Sequence, residues 1–218
     1  MQAEYVTHYG TDLSVVNAAR VSFDKHTDVL TDKDVKLIHY LAKHKHTSCF
    51  EHQGATLKLK VPIFVARQIH RHRTFSYNEV SRRYVDDTPE FYWPEVWRKR
   101  ADNVKQGSSD EVVELMQGVA TDTYYPPQEC MERQAQFCLA TYNDALAAGM
   151  APELARMILP QNLYTEFYMT GNLRNWAHFL KLRLDPHAQK EVRDVAESVK
   201  AILIQKFPIS VDALMCYD

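Results

Sequence analysis

The sequence has few of the features that hold phosphates in many nucleotide-binding proteins. It contains 6 glycines in 218 residues, and neither G-x-G-x-x-G nor a P-loop motif occurs. Glycine-rich turns of those kinds let backbone N–H groups approach a phosphate closely. If this chain binds a dinucleotide, side chains must therefore hold it.

Paired cysteines and long apolar runs are also missing. Cys49, Cys130, Cys138 and Cys216 form no C-x-x-C pair, and the N-terminus from Met1 to Tyr5 lacks the layout of a signal peptide. No apolar run approaches the roughly 20 residues that cross a bilayer. The sequence therefore predicts free thiols, a cytoplasmic location and no membrane partner.

The histidines show no zinc-binding pattern. His44-x-His46 and His70-x-His72 lack companion Cys, Asp or Glu residues at recognised zinc spacings. The sequence therefore predicts no metal site.

Neither sign of charge dominates. The formal net charge is −2 and the pI is about 6.5, which argues against a general binder of nucleic acid or membranes. Arginine is nevertheless concentrated from Ala66 to Tyr84, where one glutamate and no lysine interrupt the run. A guanidinium donates two parallel hydrogen bonds to a phosphate or carboxylate. The run is either an anion site or a solvated basic turn, and composition leaves both open.

A second group of polar residues extends from Asn172 to His187. Arg174 and His178 are four residues apart, as on one helix face, and Arg183 lies on a neighbouring face. Asp185-Pro186 predicts a helix start that would place His187 in the first turn, where anions are favoured. The group fits a site for an aromatic ring system, but taken alone it better fits a partly exposed, packed helix.

Periodicity predicts an α+β chain with a helical second half, folded as one domain over residues 1–218. In the first half it predicts a helix from Thr31 to His44, a strand from Thr56 to Val61, a helix from Pro62 to His70 and loop beyond Ser76. In the second half it predicts a helix from Pro127 to Ala148 and another after Asp185, whose core face is Ala188, Val192, Val195, Val199 and Ile202. Residues 98–110 are predicted to be a flexible surface insertion.

The arginine-rich run contains a recognisable motif. Arg71-His72-Arg73, followed after seven residues by Ser81, resembles the signature of the flavin-dependent thymidylate synthases. Other segments of the chain resemble the same family: residues 18–23, 46–52, 62–68, 76–79, 155–165, 172–174 and 182–189. The resemblance covers roughly residues 12–92 and 124–207, which is most of the chain.

The resemblance implies a fold, ligands and an assembly. The fold has a central, mostly antiparallel sheet packed by helices. The enzyme makes dTMP from dUMP, with 5,10-methylenetetrahydrofolate as carbon donor, one FAD per active site and NADPH as reductant. It is a homotetramer whose active sites form at subunit interfaces, with no nucleic-acid partner.

The resemblance also assigns residues. The dUMP site comprises Gln68, Arg71, Glu79, Ser81, Arg82, Arg83, Arg156 and Arg183. The FAD site comprises Ser22, His46, Ser48, Glu51, His72, Arg73, Asn78, Glu79, Asn172, Arg174, His178 and His187. Arg82 departs from the family, where glycine is common, and Ser48 stands where threonine is common.

The catalytic hypothesis centres on Arg183. No cysteine lies in the arginine-rich motif, and Cys49 has no obvious activating base nearby in the sequence. We therefore expect Arg183 to polarise the uracil ring without an enzyme nucleophile, and Ser81 to contact an anion. Two alternatives remain: an inactive relative that binds flavin and nucleotide, and a nucleic-acid-binding module that uses the arginine run.

Overall fold

The computed structural model describes residues 1–81, 89–102, 107–118 and 121–217, and these form two compact units. The first unit takes the described parts of Met1–Lys60, Gln68–Asn78 and Phe167–Asp218, and the second takes those of Val61–Arg67 and Glu79–Glu166. One domain over residues 1–218 stays a prediction.

Eight strands form three sheets in the described part of the chain. They are β1 (Gln2–Tyr9), β2 (Gly54–Pro62), β3 (Ser76–Glu79), β4 (Arg98–Arg100), β5 (Ser108–Val112), β6 (Met116–Gln117), β7 (Tyr124–Tyr125) and β8 (Tyr164–Asn172). The main sheet has the order β1-β2-β8-β3, and β1 pairs with β2 antiparallel. The other two sheets are the antiparallel pairs β4–β5 and β6–β7.

The helices dominate the second half of the chain. They are α1 (Asp12–Arg20), α2 (Asp32–Lys43), α3 (Ile63–Ile69), α4 (Pro127–Ala147), α5 (Pro152–Ala155), α6 (Leu173–Arg183), α7 (Lys190–Lys206) and α8 (Pro208–Cys216). Short 3-10 helices span Val21–Phe23, Thr47–Glu51 and Arg156–Ile158. The predicted α+β class with an antiparallel sheet and a helical second half is confirmed. Among the described helices, none has the length and apolar composition that a membrane-spanning helix needs.

Local sequence explains several of these elements. On β2, Leu57 and Leu59 are 0% exposed while Lys58 between them is half-buried, which is the alternation expected of a strand with one face in the core. The Thr31 and Asp34 side chains form a capping box at the start of α2. Gly149, at φ +84, follows the end of α4.

A close approach of two backbones holds β2 against the end of β8. A Cβ atom added to Gly54 would lie 2.3 Å from the carbonyl oxygen of Gly171 and 2.7 Å from Cα of Asn172. Beside this contact, Trp176 Nε1 donates to the carbonyl oxygen of Ala55 at 3.1 Å. The start of α6, which follows Asn172, is therefore fixed against β2.

Three local predictions were wrong. The chain beyond Ser76 forms β3 rather than loop, and residues 98–110 contribute to the β4–β5 pair rather than to an irregular insertion. Both segments lack apolar alternation because their side chains are mostly exposed, so backbone pairing alone defines them. Residues 103–106 of the predicted insertion lie outside the described residues.

The third error concerns the start of α7. The helix begins at Lys190, and Asp185 instead closes a turn in which its Oδ1 accepts from the His187 backbone N–H at 2.7 Å. Ala188 therefore precedes the helix and does not belong to its core face. Val192, Val195 and Val199 are buried as predicted, but Leu203 completes the face because Ile202 is only half-buried.

Candidate active site

The Arg-His-Arg motif lies in a tight turn after α3, in the first unit. The helix ends at Ile69, so Gln68 lies in its last turn and Arg71 lies beyond it. The Tyr77 hydroxyl donates to the carbonyl oxygens of Ile69 at 3.2 Å and His72 at 2.9 Å. His72 is 6% exposed, whereas Arg71 and Arg73 are exposed. The turn therefore buries the imidazole and leaves a guanidinium on each side of it open to solvent.

Arg183, the last residue of α6, points into this turn. Its Nε donates to Nε2 of His72 at 2.9 Å, and its Nη2 donates to the carbonyl oxygen of Gln68 at 2.8 Å. Two of its nitrogens are thus anchored, which fixes the plane of the guanidinium. The guanidinium has five N–H donors, so others remain for a ligand.

The charge state of His72 suits its role as an acceptor. Burial lowers the pKa of His72 to about 4, and electrostatic interaction with Arg183 and His178 acts in the same direction. The ring is therefore neutral near pH 7, and its Nε2 lone pair is available to the Arg183 donor. Burial also lowers the pKa of Arg183, but a guanidinium starts above about 12 and keeps its charge.

A second group of hydrogen bonds supports the Gln68 side chain. Gln68 Nε2 donates to Oε1 of Gln189, and Gln189 Nε2 donates to Oε2 of Glu191 at 2.8 Å. Glu191 is 3% exposed in the first turn of α7. Gln68 therefore contacts α6 through its backbone and Gln189 through its side chain.

The N-terminal end of α6 carries a third cluster. Asn172 Oδ1 accepts from the Asn175 backbone N–H at 2.9 Å and so caps the helix, while Asn175 Nδ2 donates to the carbonyl oxygen of Thr74 at 2.9 Å. Arg174 Nη1 donates to Glu51 Oε1 at 2.5 Å. These contacts join α6 to the 3-10 helix Thr47–Glu51 and to the turn that holds His72.

The remaining residues predicted for FAD in the first unit are exposed. They are Ser22, His46, Ser48, Arg73, Asn78, His178 and His187. The rings of His72 and His178 have centroids 5.9 Å apart, so His178 lies beside the buried imidazole. His187 is in the turn closed by Asp185, not in a first helical turn, so the helix-dipole argument for it was wrong.

In the second unit, Glu79 Oε1 accepts from Thr165 Oγ1 at 2.7 Å, and Arg156 is exposed in the 3-10 helix Arg156–Ile158. Ser81 is half-buried. Arg82 and Arg83 lie outside the described residues.

Sequence patterns did not reveal four supporting residues: Tyr77, Thr165, Gln189 and Glu191. Gln189 and Glu191 are 121 and 123 positions from Gln68, so no local spacing links them to it. Glu191 in a first helical turn is also a common pattern with an ordinary explanation, the helix dipole. Only Tyr77 left a usable signal, because a tyrosine four residues after Arg73 lies within reach of the turn.

The fold and this cluster define a class of protein: an α+β protein with a fixed arginine, two open arginines and oriented amides, which suits a ligand with anionic and hydrogen-bonding groups. The family model described as "Thymidylate synthase complementing protein" matches residues 4–209. The flavin-dependent thymidylate synthase of Thermus thermophilus is 42% identical over 210 residues, covering 94% of this chain and 72% of the relative. That of Thermotoga neapolitana is 41% identical, covering 98% and 90%.

Solved structures agree with these relatives. The crystal structure of the UMP/dUMP methylase PolB from Streptomyces cacaoi, bound with 5-Br dUMP, matches with a TM-score of 0.83 at 33% identity and covers 99% of this chain and 95% of that one. Its complex with 5-Br UMP matches with a TM-score of 0.77 at 30% identity, covering 99% and 93%. The chain belongs to the flavin-dependent thymidylate synthase family, and its activity is FAD-dependent synthesis of dTMP.

Proposed function

We propose that this chain converts dUMP to dTMP by reductive methylation, with 5,10-methylenetetrahydrofolate as carbon donor and NADPH as reductant. The observation that carries the proposal is the anchoring of Arg183 by His72 and the Gln68 carbonyl. For C5 of uracil to attack a one-carbon unit, negative charge must be stabilised on the ring. A fixed cation aimed at developing charge contributes about 3 kcal/mol, on the scale of oxyanion-site mutagenesis.

The nucleotide phosphate requires further cations. Arg71 is exposed beside the buried His72, and within the described part of the chain it forms no ion pair that would compete for its charge. With Arg71 we assign Gln68, Glu79, Ser81, Arg82, Arg83, Arg156 and Arg183 to the dUMP site, as the family resemblance implies. Guanidinium forks suit a phosphate dianion because they bind it bidentately.

The chemistry of the donor set fits FAD. Arg73, His46, His178 and Ser48 are exposed donors on the first unit, as the diphosphate and polar ring edge of a dinucleotide require. We propose that they hold FAD together with Ser22, Glu51, His72, Asn78, Glu79, Asn172, Arg174 and His187. The Arg174–Glu51 pair and the Asn172 cap keep two of these elements in place. When bound, FAD supplies the hydride that completes the methyl group, after reduction by NADPH.

The state of Cys49 supports activation without an enzyme nucleophile. Burial raises the pKa of its thiol, so less of it is thiolate near pH 7 than for a free cysteine. A thiolate is the form that would attack a pyrimidine ring. Polarisation by Arg183 is therefore the better route to a nucleophilic C5.

We also propose a homotetramer with one FAD per active site at the subunit interfaces, as the resemblance implies. Large apolar side chains on the surface of one chain support it, among them Phe23 at 73% and Met157 at 77% exposed. A cytoplasmic location stays a prediction from the sequence.

The test is tritium release from dUMP labelled at C5, with methylenetetrahydrofolate, FAD and NADPH supplied. We expect release that requires both FAD and NADPH, and that falls at least a hundredfold in Arg183→Ala, about 3 kcal/mol by the constant above, while FAD stays bound. Wild-type protein that binds FAD and dUMP without release would be an inactive relative. Protein that binds neither, but binds DNA with an affinity falling steeply with salt, would be a nucleic-acid-binding module.

Labelled UMP belongs in the same experiment. The structural neighbour is named a UMP/dUMP methylase and was solved with both brominated nucleotides. Release from dUMP at least as fast as from UMP is expected of a thymidylate synthase. Release from UMP alone would contradict the proposed substrate.

A further inference from the structure

Three polar side chains in the first unit form a chain of hydrogen bonds with a defined direction. Glu191 is 3% exposed, and an ionised carboxylate can only accept hydrogen bonds. Gln189 turns its amide nitrogen toward this carboxyl group, and its Nε2 donates to Glu191 Oε2 at 2.8 Å. The carboxylate thus determines which end of the Gln189 amide faces away from it.

The direction passes on to Gln68. Gln189 presents Oε1, which accepts from Nε2 of Gln68. The nitrogen of the Gln68 amide is thereby engaged, and its Oε1 receives no hydrogen bond from the described residues. Gln68 consequently offers a ligand an acceptor. The backbone carbonyl of the same residue accepts from Arg183 Nη2 at 2.8 Å, so Gln68 also contacts the fixed guanidinium.

We propose that Glu191, acting through Gln189, orients the Gln68 amide so that its oxygen accepts from N3–H of the pyrimidine, and that this orientation selects uracil over cytosine. The inference rests on the proposed function, which places dUMP at Gln68 and Arg183. Glu191 and Gln189 are positioning residues, since they act on the nucleotide only through Gln68.

The chemistry of the two bases explains the selection. Uracil carries an N–H at position 3 next to a carbonyl, which complements an acceptor beside a cationic donor. Cytosine has a lone pair at N3, so the Gln68 oxygen would face another acceptor and both would lose their hydrogen bonds to water. A site built to pair with one polar group rejects an analogue that lacks it, because its own group is left unpaired. The amide needs a fixed direction because a freely rotating glutamine would present its nitrogen to cytosine.

The experiment compares the affinities of FAD-loaded protein for dUMP and dCMP by calorimetry. Wild-type protein should bind dUMP at least a hundredfold more tightly. In Glu191→Gln, residue 191 can donate to Gln189, the chain can reverse, and Gln68 can present its nitrogen. We expect the dUMP-to-dCMP preference to fall at least tenfold. Asp12→Asn, which alters another buried carboxylate at the start of α1, is the matched control and should keep the wild-type preference.

A swap of the two residues tests the direction itself. In the double variant Gln189→Glu with Glu191→Gln, the carboxylate at 189 accepts both from Gln68 Nε2 and from the amide at 191. The Gln68 oxygen then faces the base again at unchanged net charge, so the preference should return. An acidic first turn of α7 with a purely structural role would not produce this loss and recovery.

The outcomes separate the two proposals. If Glu191→Gln binds FAD and keeps the full preference for dUMP, the inference is overturned. If that variant loses FAD, the swap decides: a wild-type preference supports the inference, and a reduced preference in FAD-loaded swap protein overturns it. If wild-type protein binds no dUMP at all, the proposed function has failed instead.

Discussion

At the scale of single residues, the charge state of the His72 imidazole determines whether it can hold Arg183. It is buried beside a guanidinium and acts as an acceptor, so it must stay uncharged. Its pKa of about 4 secures that state across the neutral range. The histidine thus holds a cation in place without contributing a second positive charge.

His72→Leu should reduce turnover about tenfold to a hundredfold, because a hydrogen bond to a charged group contributes roughly 1.5–3 kcal/mol. His72→Gln should recover part of that loss, since its amide can place an acceptor near the position of Nε2. The measurement is kcat from tritium release at saturating dUMP and FAD. Equal turnover in the leucine and wild-type proteins would show that Arg183 does not need this anchor.

The same histidine gives a pH dependence of stability. Because its pKa is lower in the folded protein than the ordinary value of about 6.5, the unfolded chain binds the extra proton as pH falls from about 6.5 toward 4. The free energy of unfolding should therefore decline across that window and level off above it. Urea unfolding of wild type and His72→Gln at pH 4.5, 5.5 and 7 tests this, and a slope of equal size in both proteins would contradict it.

Neither of the two candidate nucleophiles, Cys49 and Ser81, should prove to act as one. Cys49→Ser should retain turnover within about twofold, and Ser81→Ala should mainly raise the KM for dUMP. Loss of tritium release from Ser81→Ala at saturating dUMP, with nucleotide still bound, would assign a covalent role to Ser81. Calorimetric titration of Ser81→Ala with dUMP shows whether the variant still binds the nucleotide.

At the scale of elements, the Tyr77 hydroxyl bridges two backbone carbonyls of the turn that follows α3. Tyr77 OH donates to two carbonyls of the turn, and burial raises its pKa to about 12, so it stays protonated at any pH of interest. Tyr77→Phe removes the donor and keeps the ring. We expect a loss of about 1 kcal/mol in unfolding free energy and faster amide exchange at residues 70–75, measured by hydrogen exchange. Unchanged exchange there would mean that packing alone fixes the turn.

The start of α2 provides an independent test of stability. The Asp34 carboxylate caps the helix with Thr31 and pairs with Arg20, and these contacts lower its pKa, with the Thr31 hydrogen bond as the largest cause. Its contribution is present above about pH 4, the ordinary value, and is lost as pH falls through the lower folded pKa. Asp34→Asn should lose about 1 kcal/mol at pH 7 and show less acid sensitivity than wild type in thermal melts from pH 7 to 3. Asp32→Asn, on the exposed side of the same turn, is the control.

Elements with a clear apolar period were predictable from the sequence. The helix from Thr31, strand β2 and helix α4 each combine such a period with a recognisable end. Strands β3 and β5 were missed because both faces are largely exposed and only backbone pairing defines them. The start of α7 was misplaced because Asp185-Pro186 suits a turn as well as a helix, and local sequence cannot choose between the two.

The residues of the site, like the elements of the fold, were predictable only in part. The Arg-His-Arg motif and Arg183 were identifiable from residue type and resemblance. The hydrogen bonds that orient them connect Arg183 to His72 and Gln189 to Gln68 across more than a hundred positions. Such partners depend on tertiary packing, so no spacing rule contains them.

At the scale of the whole molecule, the predicted assembly has a direct measurement. Light scattering after size-exclusion chromatography should give four times the 25.3 kDa mass of the chain. FAD should remain bound at protein concentrations at which the tetramer persists. It should be released when the tetramer dissociates, because the resemblance places each site at a subunit interface. A monomer that retains FAD at full occupancy would refute the shared site.

The contact of Gly54 with Gly171 makes one position in the chain intolerant to mutation. In a library that carries every single substitution, selected by growth without thymidine, codon 54 should retain only glycine, since even one methyl group would overlap a backbone oxygen at 2.3 Å. Gly107, whose added Cβ meets nothing within 4 Å, should accept asparagine despite its φ of +99. A mutational map of this enzyme would therefore record an invariant site away from the Arg-His-Arg motif in sequence. The site is invariant because the contact between Gly54 and Gly171 positions α6 and, with it, Arg183.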